Sequence, residues 1–282
     1  MTLRKANILL ILAAVSWSSG GLFIKLLPWN PFSILCGRSI LAALVVLVYL
    51  RRPSIDRTGI QIIGGIGYVG AQLFFILGTQ MTAAANAIFL HYTSPLYVFL
   101  FSYWLLKERS QPADWMSMAV ILLGMLLFLG DGLTVGGLMG NMFGALSGIA
   151  IAAVVLCSRR QKSGEPANMI LLGNLMSIAV GFPFLIQETF TLRTVGIILF
   201  LGIIQMGLSY VLFSMAIKHL KAMEAIIIMA LEPILNPIWV FIVIGEVPGL
   251  LAIFGAVMVL GAVTGRSIIS ARRTADERVL DG

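Results

Sequence analysis

Apolar residues gather along this chain in ten long runs separated by short polar connections. The runs cover 6–27, 31–50, 60–78, 83–104, 112–130, 138–157, 167–187, 196–217, 221–244 and 248–268. Each approaches the ~20 apolar residues that an α-helix needs to cross a ~30 Å hydrocarbon core. The pattern predicts an all-α integral membrane protein of ten transmembrane helices. The short connections leave no room for a soluble catalytic or regulatory domain.

Charge orients the spans. If the chain starts inside and alternates, sixteen of its 19 lysines and arginines, from Arg4 and Lys5 to Arg273 and Arg278, fall in cytoplasmic segments. The outer segments hold only Lys25 and Arg193, and Arg38 lies within a span. That asymmetry is the positive-inside signature and predicts that both termini are cytoplasmic. The first run exceeds the 7–15-residue core of a signal peptide, so an uncleaved first span is expected. Residues 269–282 read as a short, solvated cytoplasmic tail.

Composition agrees with the spans. Hydrophobic residues make up 59% of the chain and charged residues 11%, against about 25% charged in a soluble domain. A formal charge of +7 would suggest nucleic acid in a soluble protein. Here the cations sit at membrane ends, where anionic lipid and topology account for them. The bilayer is therefore the expected partner, and no nucleic acid is. Cys36 and Cys157 both fall inside spans and read as small buried residues.

Two stretches of the chain echo each other. Ser94-Pro95 through Lys107-Glu108 realigns with Glu232-Pro233 through Gly245-Glu246 at an offset of 138. The first span matches the sixth less clearly at an offset near 134, pairing Asn7 with Asn141 and Lys25 with Arg159. Two five-span halves are expected, 1–135 and 136–268. An odd number of spans in each half inverts the second in the membrane. Inverted repeats of this kind are typical of secondary transporters, whose substrates bind near the midplane between the halves. Gly136, Gly140, Gly144, Gly148 and Ala152 form a small-residue strip on the sixth span. Gly64, Gly67, Gly70 and Ala71 do so on the third. Both are read as close-packing surfaces.

No metalloprotease, nucleophile-elbow or phosphate-loop motif occurs, and there is no cysteine–histidine cluster. Neither enzyme activity, nor a metal, nor a cofactor is expected. His91 and Glu232 lie near mid-span, where ionisable groups are costly and usually face a cavity or a partner. Prolines follow both. Pro95 frees the carbonyl of His91, Pro233 that of Met229, and Pro237 that of Pro233, because proline has no N–H for the helix bond. These prolines predict broken helices at matching places in the two halves. Trp17, Tyr68, Tyr92, Tyr97, Tyr210 and Phe74 share that depth, with Ser18, Gln72, Gln205, Ser209 and Asn174 as neutral hydrogen-bonding groups. Each aromatic alone reads more readily as packing. Together they suit a small zwitterion better than a phosphate. Arg38 either snorkels to the outer surface or attracts a carboxylate solute, and the structural reading is favoured slightly.

These residues resemble the drug/metabolite transporter superfamily, specifically its EamA-type members. The resemblance is carried by Ala14–Lys25 with Trp17, by Pro95, Leu96 and Lys107-Glu108-Arg109, by Leu231-Glu232-Pro233, and by Glu246 near Pro248. Within the superfamily the chain is similar to aromatic amino acid exporters of the YddG type. That similarity would put His91-Tyr92 on the substrate-facing part of the fourth helix. It implies a central cavity framed by helices 3, 4, 8 and 9 with help from 1 and 6. It also implies export of amino acids across the bacterial inner membrane. Ser94 departs from the pattern, standing where the second half has Glu232.

The expected function is alternating-access transport of a small amphipathic solute, an amino acid foremost. The expected substrate-binding residues are Trp17, Ser18, Tyr68, Gln72, His91, Tyr92, Gln205, Tyr210 and Glu232. Proton coupling through Glu232 or His91 and facilitated diffusion down a gradient both fit. The alternatives are a multidrug or other metabolite carrier of the same fold and, less well supported, a membrane-embedded lipid enzyme.

Overall fold

The computed structural model describes residues 1–55, 58–82, 84–107, 112–130, 138–161 and 165–244, and within 251–265 residues 251, 254, 255, 257, 258, 261, 262 and 265. The described residues contain helices and connections, and no strand. In order, the helices are α1 (Leu3–Trp17), α2 (Gly20–Leu26), α3 (Pro31–Leu50), α4 (Gly59–Met81), α5 (Ala84–His91), α6 (Ser94–Leu106) and α7 (Pro112–Gly130). Then come α8 (Leu138–Arg160), α9 (Pro166–Leu185), α10 (Leu192–Leu199), a π-helical segment (Phe200–Leu208), α11 (Ser209–Ile217), α12 (Ala222–Met229) and α13 (Glu232–Ile244). Among the described residues, six stretches are long and apolar enough to cross a membrane: Leu3–Leu26, Pro31–Leu50, Gly59–Met81, Leu138–Arg160, Pro166–Leu185 and Leu192–Ile217. The predicted tenth span, Glu108, Glu246 and the tail fall largely or wholly outside the described residues.

Polar side chains begin several helices. Thr2, Asn30 and Thr58 accept backbone N–H bonds at the starts of α1, α3 and α4. Thr191 and Thr194 form a reciprocal capping box before α10. These bonds satisfy N–H groups that a helix start cannot pair internally. At the other ends, Arg51 and Lys107 take positive φ, 55° and 58°, and turn the chain out of α3 and α6.

Three predicted spans are each two helices. The fourth breaks at Tyr92-Thr93 and the ninth at Ala230-Leu231. Helices α5 and α6 reappear as α12 and α13, with every boundary displaced by 138 (84 to 222, 91 to 229, 94 to 232, 106 to 244). Pro95 and Pro233 occupy the second position of the new helix, where a missing N–H costs nothing. Pro237 differs from expectation: α13 continues across it, so no break forms there. One missing bond inside a membrane helix is tolerated when surrounding groups take up the carbonyl. The first span breaks without any proline. Ser18 Oγ donates to the Val15 carbonyl at 2.6 Å and Ser19 Oγ to that of Ser16 at 2.8 Å. Both hydroxyls compete with the backbone for helix carbonyls.

The small-residue strips bring backbones together. A Cβ on Gly78 of α4 would lie 3.2 Å from the Gly140 carbonyl oxygen of α8. Gly148 packs under the fourth-span break: a Cβ there would lie 2.7 Å from the Leu90 carbonyl oxygen and 2.9 Å from that of His91. Only a glycine lets α8 approach those carbonyls so closely. The result is a bundle in which α8 and α9 pack on α4, α3 packs on α9 and the π segment, and α1 packs on α11 and α12.

Candidate functional site

Where α1, α3, α4, α5, α8, the π segment, α11, α12 and α13 meet, they line a cavity. It is lined by Trp17, Arg38, Gln72, Phe75, His91, Gln205, Met206, Tyr210, Met229 and Glu232, with Ala71 and Ile151. Its free volume is ≈ 30 Å³, room for one or two water molecules.

One wall carries the cation. Arg38 on α3 is buried, and its Nη2 donates to Gln72 Oε1 at 2.6 Å and to the Gln72 carbonyl at 3.4 Å. Gln72 Nε2 in turn donates to the Tyr210 hydroxyl at 2.7 Å. The Tyr210 ring packs edge-on against Trp17 and Tyr68, with centroids 5.0 and 4.9 Å away. Three atoms of cavity-lining residues are buried without a protein partner among the described residues: Arg38 Nε, Trp17 Nε1 and Gln205 Oε1.

The acid of the cavity stands at a helix break. Glu232 opens α13, and its Oε2 lies 2.6 Å from the Tyr92 hydroxyl. That hydroxyl also donates to the Met229 carbonyl at 2.8 Å. Met229 is four residues before Pro233, so its carbonyl has lost its helix partner. A tyrosine hydroxyl has a single hydrogen to give. Both contacts are fully satisfied when Tyr92 donates to Met229 and Glu232, carrying a proton, donates to Tyr92. His91 Nδ1 lies 3.0 Å from Ser147 Oγ, and that hydroxyl donates to the Gly144 carbonyl at 2.6 Å. The serine hydrogen is thus committed, which makes Nδ1 the donor and leaves Nε2 as an acceptor. Phe75 meets the His91 ring edge-on at 5.2 Å.

The break in the first span forms the third side. Gln205 Nε2 donates to the Trp17 carbonyl at 3.4 Å, and Asn236 Nδ2 to that of Ser18 at 2.8 Å. Trp239 Nε1 donates to Ser18 Oγ at 2.7 Å. Ser16 Oγ and Ser209 Oγ both reach the Ile204 carbonyl inside the π segment, at 3.2 and 3.1 Å. Short π insertions commonly mark functional sites.

Of the residues expected from sequence, Trp17, Gln72, His91, Gln205, Tyr210 and Glu232 line this one cavity. Tyr92 stands directly behind Glu232. Tyr68 sits behind Tyr210, with its hydroxyl on Asn174 at 3.0 Å and its ring against Gly173. Ser18 ties α1 to α13 rather than lining the space. Phe74 stacks on Phe143, and Tyr97 packs at the edge of the core. Arg38, Phe75, Met206 and Met229 line the cavity although none was among the expected binding residues. Arg38 was the detectable one, as a charge inside a span.

Each end of the bundle is tied by polar contacts. At one end Trp29 Nε1 donates to the Thr189 carbonyl, Gln80 Nε2 to the Trp29 carbonyl, and the Asn30 N–H to Glu188 Oε1. These contacts border a recess of about 600 Å³ lined by Pro28, Trp29, Glu188, Thr191 and Arg193. At the other end Lys218 pairs with Glu165 at 3.0 Å, and Arg159 Nη1 donates to the Lys218 carbonyl. Beside them, His219 is held below the usual histidine range, by desolvation first and then by the neighbouring cations.

Comparison with known proteins points one way. The model of the EamA-like transporter family matches residues 4–130 and again 138–267. An uncharacterized transporter of Archaeoglobus fulgidus is 25% identical over 93% of this chain and 96% of its own length. The pseudopaline exporter CntI of Pseudomonas aeruginosa is also 25% identical, over 93% of this chain and 96% of its own. One solved crystal structure superimposes with a TM-score of 0.77 at 19% identity, covering 96% of this chain and 99% of that one. At that identity the likeness speaks to the fold.

Proposed function

The chain belongs to the EamA-like transporter family, and from that premise we propose a secondary transporter, an exporter or facilitator, of small amphipathic organic solutes. Amino acids, including aromatic ones, are the foremost candidates. The carrier is proposed as multi-pass in a bacterial inner membrane, with ten helices in two inverted halves, 1–135 and 136–268, and both termini cytoplasmic. The 138-residue displacement of α5–α6 onto α12–α13 supports two related halves, as does the family model matching twice. The charge asymmetry of the connections supports the orientation.

The observation that carries the reading is the cavity lined by residues of both halves, among them a buried cation, Arg38, and a carboxyl, Glu232. In the proposed cycle, α4–α6 rock against the π segment and α11–α13 about this site. The Trp29–Thr189 contacts release at one end and the Lys218–Glu165 contacts at the other. Aromatic walls from Trp17, Phe75 and Tyr210 suit a flat, partly apolar solute. The Glu232–Tyr92–Met229 chain supports proton coupling, since a solute ammonium and a proton would compete for one carboxyl.

Purified protein in liposomes tests this reading through flux of aromatic and aliphatic amino acids, with and without a pH gradient. Flux of at least one amino acid is expected; no flux of any would sink the substrate claim. Indifference to the gradient would remove proton coupling and leave a facilitator. Glu232→Gln and His91→Ala should lower flux while expression and thermal stability hold, and normal flux in both would retire the site. The likeness to a pseudopaline exporter favours a second reading, a carrier of pseudopaline-like metabolites. Competition of such compounds with amino acid flux separates the two.

A further inference from the structure

We propose that Arg38 is the carboxylate-recognising residue of this cavity, so that the transported solute bears a carboxylate toward the α3–α4–α11 wall and a cationic group toward Glu232. This inference deepens the proposed transport function and rests on it. A guanidinium buried within a span is expensive unless it is paired. Yet among the described residues Arg38 meets no carboxylate: its partners there are the two oxygens of Gln72, both through Nη2, and Nε has none. Merely joining α3 to α4 would not require a permanent charge.

Besides Gln72, residues that share the cavity with Arg38 hold free donors. Trp17 Nε1 has no acceptor among the described residues. The Tyr210 hydroxyl receives a hydrogen from Gln72, so its own hydrogen remains to be given. The residues that carry these donors, Arg38, Trp17 and Tyr210, line one cavity from three helices. A carboxylate, which only accepts hydrogen bonds through two oxygens, is the complement of that set. Acceptors not engaged by Arg38 are held by Gln205, at Oε1, and by His91 and Glu232. A single arginine matches a monoanion; a phosphate ester would call for more cations.

The test compares phenylalanine with phenylalaninamide and phenethylamine, which keep the ring and the amine and lack the carboxylate. In liposomes containing the full chain, wild type should favour phenylalanine over both by at least about tenfold in flux or competition, the scale of one charge-assisted hydrogen bond. Arg38→Gln should collapse that ratio toward one, and Arg38→Lys should retain part of it. If Arg38 were only a structural tie, Arg38→Gln would lower flux of all three solutes alike and leave the ratio unchanged, which would overturn the proposal. Should both variants fail to fold, the wild-type ratio decides alone: equal handling of phenylalanine and its amide overturns it. Flux without discrimination retires this proposal and spares the transport reading, whereas absence of amino acid flux retires both.

Discussion

Residues 84–106 and 222–244 follow the same course: eight helical residues, a two-residue turn, then thirteen helical residues with proline in second place. The two turns are closed by different chemistry. At the first, Thr93 Oγ1 donates to the Leu90 carbonyl at 2.6 Å, and the exposed carbonyls rest against Gly148 of α8. Ser94, which begins the new helix, has a buried hydroxyl without a partner. At the second, the open carbonyl of Met229 is capped from outside by Tyr92, which belongs to the first turn and also holds Glu232. One turn closes on itself; the other is closed by its counterpart. A repeated backbone can thus keep its geometry while one copy specialises in carrying the ionisable group and the other in holding it.

Removing the shared hydroxyl should have the largest effect. Tyr92→Phe leaves the Met229 carbonyl and Glu232 short of a partner, an expected cost of about 2–3 kcal/mol. Thermal unfolding in detergent would show it, together with loss of flux. A wild-type melting temperature would mean that the second turn does not depend on the first. Gly148→Ala probes the self-closed turn. Its Cβ would press on backbone oxygens that cannot rotate away, so about 1–2 kcal/mol of destabilisation is expected from overpacking. An unchanged melt would show that α8 is not seated against that turn. Ser94→Ala should be the smallest, within about 0.5 kcal/mol, because no hydrogen bond is lost. A large loss there would mean that Ser94 is not idle, and the contrast with Glu232 would fail.

The breaks of the fourth and ninth spans were legible because proline announces them. The break of the first was not. Ser18-Ser19-Gly20-Gly21 is compatible with a continuous helix, and what keeps it open are Gln205, Asn236 and Trp239, some 190–220 residues away in the chain. The π segment was equally hidden, since Phe200–Leu208 is almost uniformly apolar and gives no register to read. For the site, position along a span conveys depth, which brings Trp17, Gln72, His91 and Glu232 to one level. Direction around a helix is not conveyed in the same way. Tyr68 shares that depth yet turns toward Gly173. Arg38, which sequence slightly favoured as structural, faces the cavity.

The hydrogen bonds at Ser18 bear on how the protein is made. Its carbonyl and its hydroxyl are both engaged by side chains of α13, Asn236 and Trp239. The ribosome releases Ser18 long before either partner exists, and domains generally fold in the order in which they are synthesised. Here the kink between α1 and α2 must wait, unsupported, until α13 has been made. The beginning of the chain is therefore among the last parts to reach its final shape.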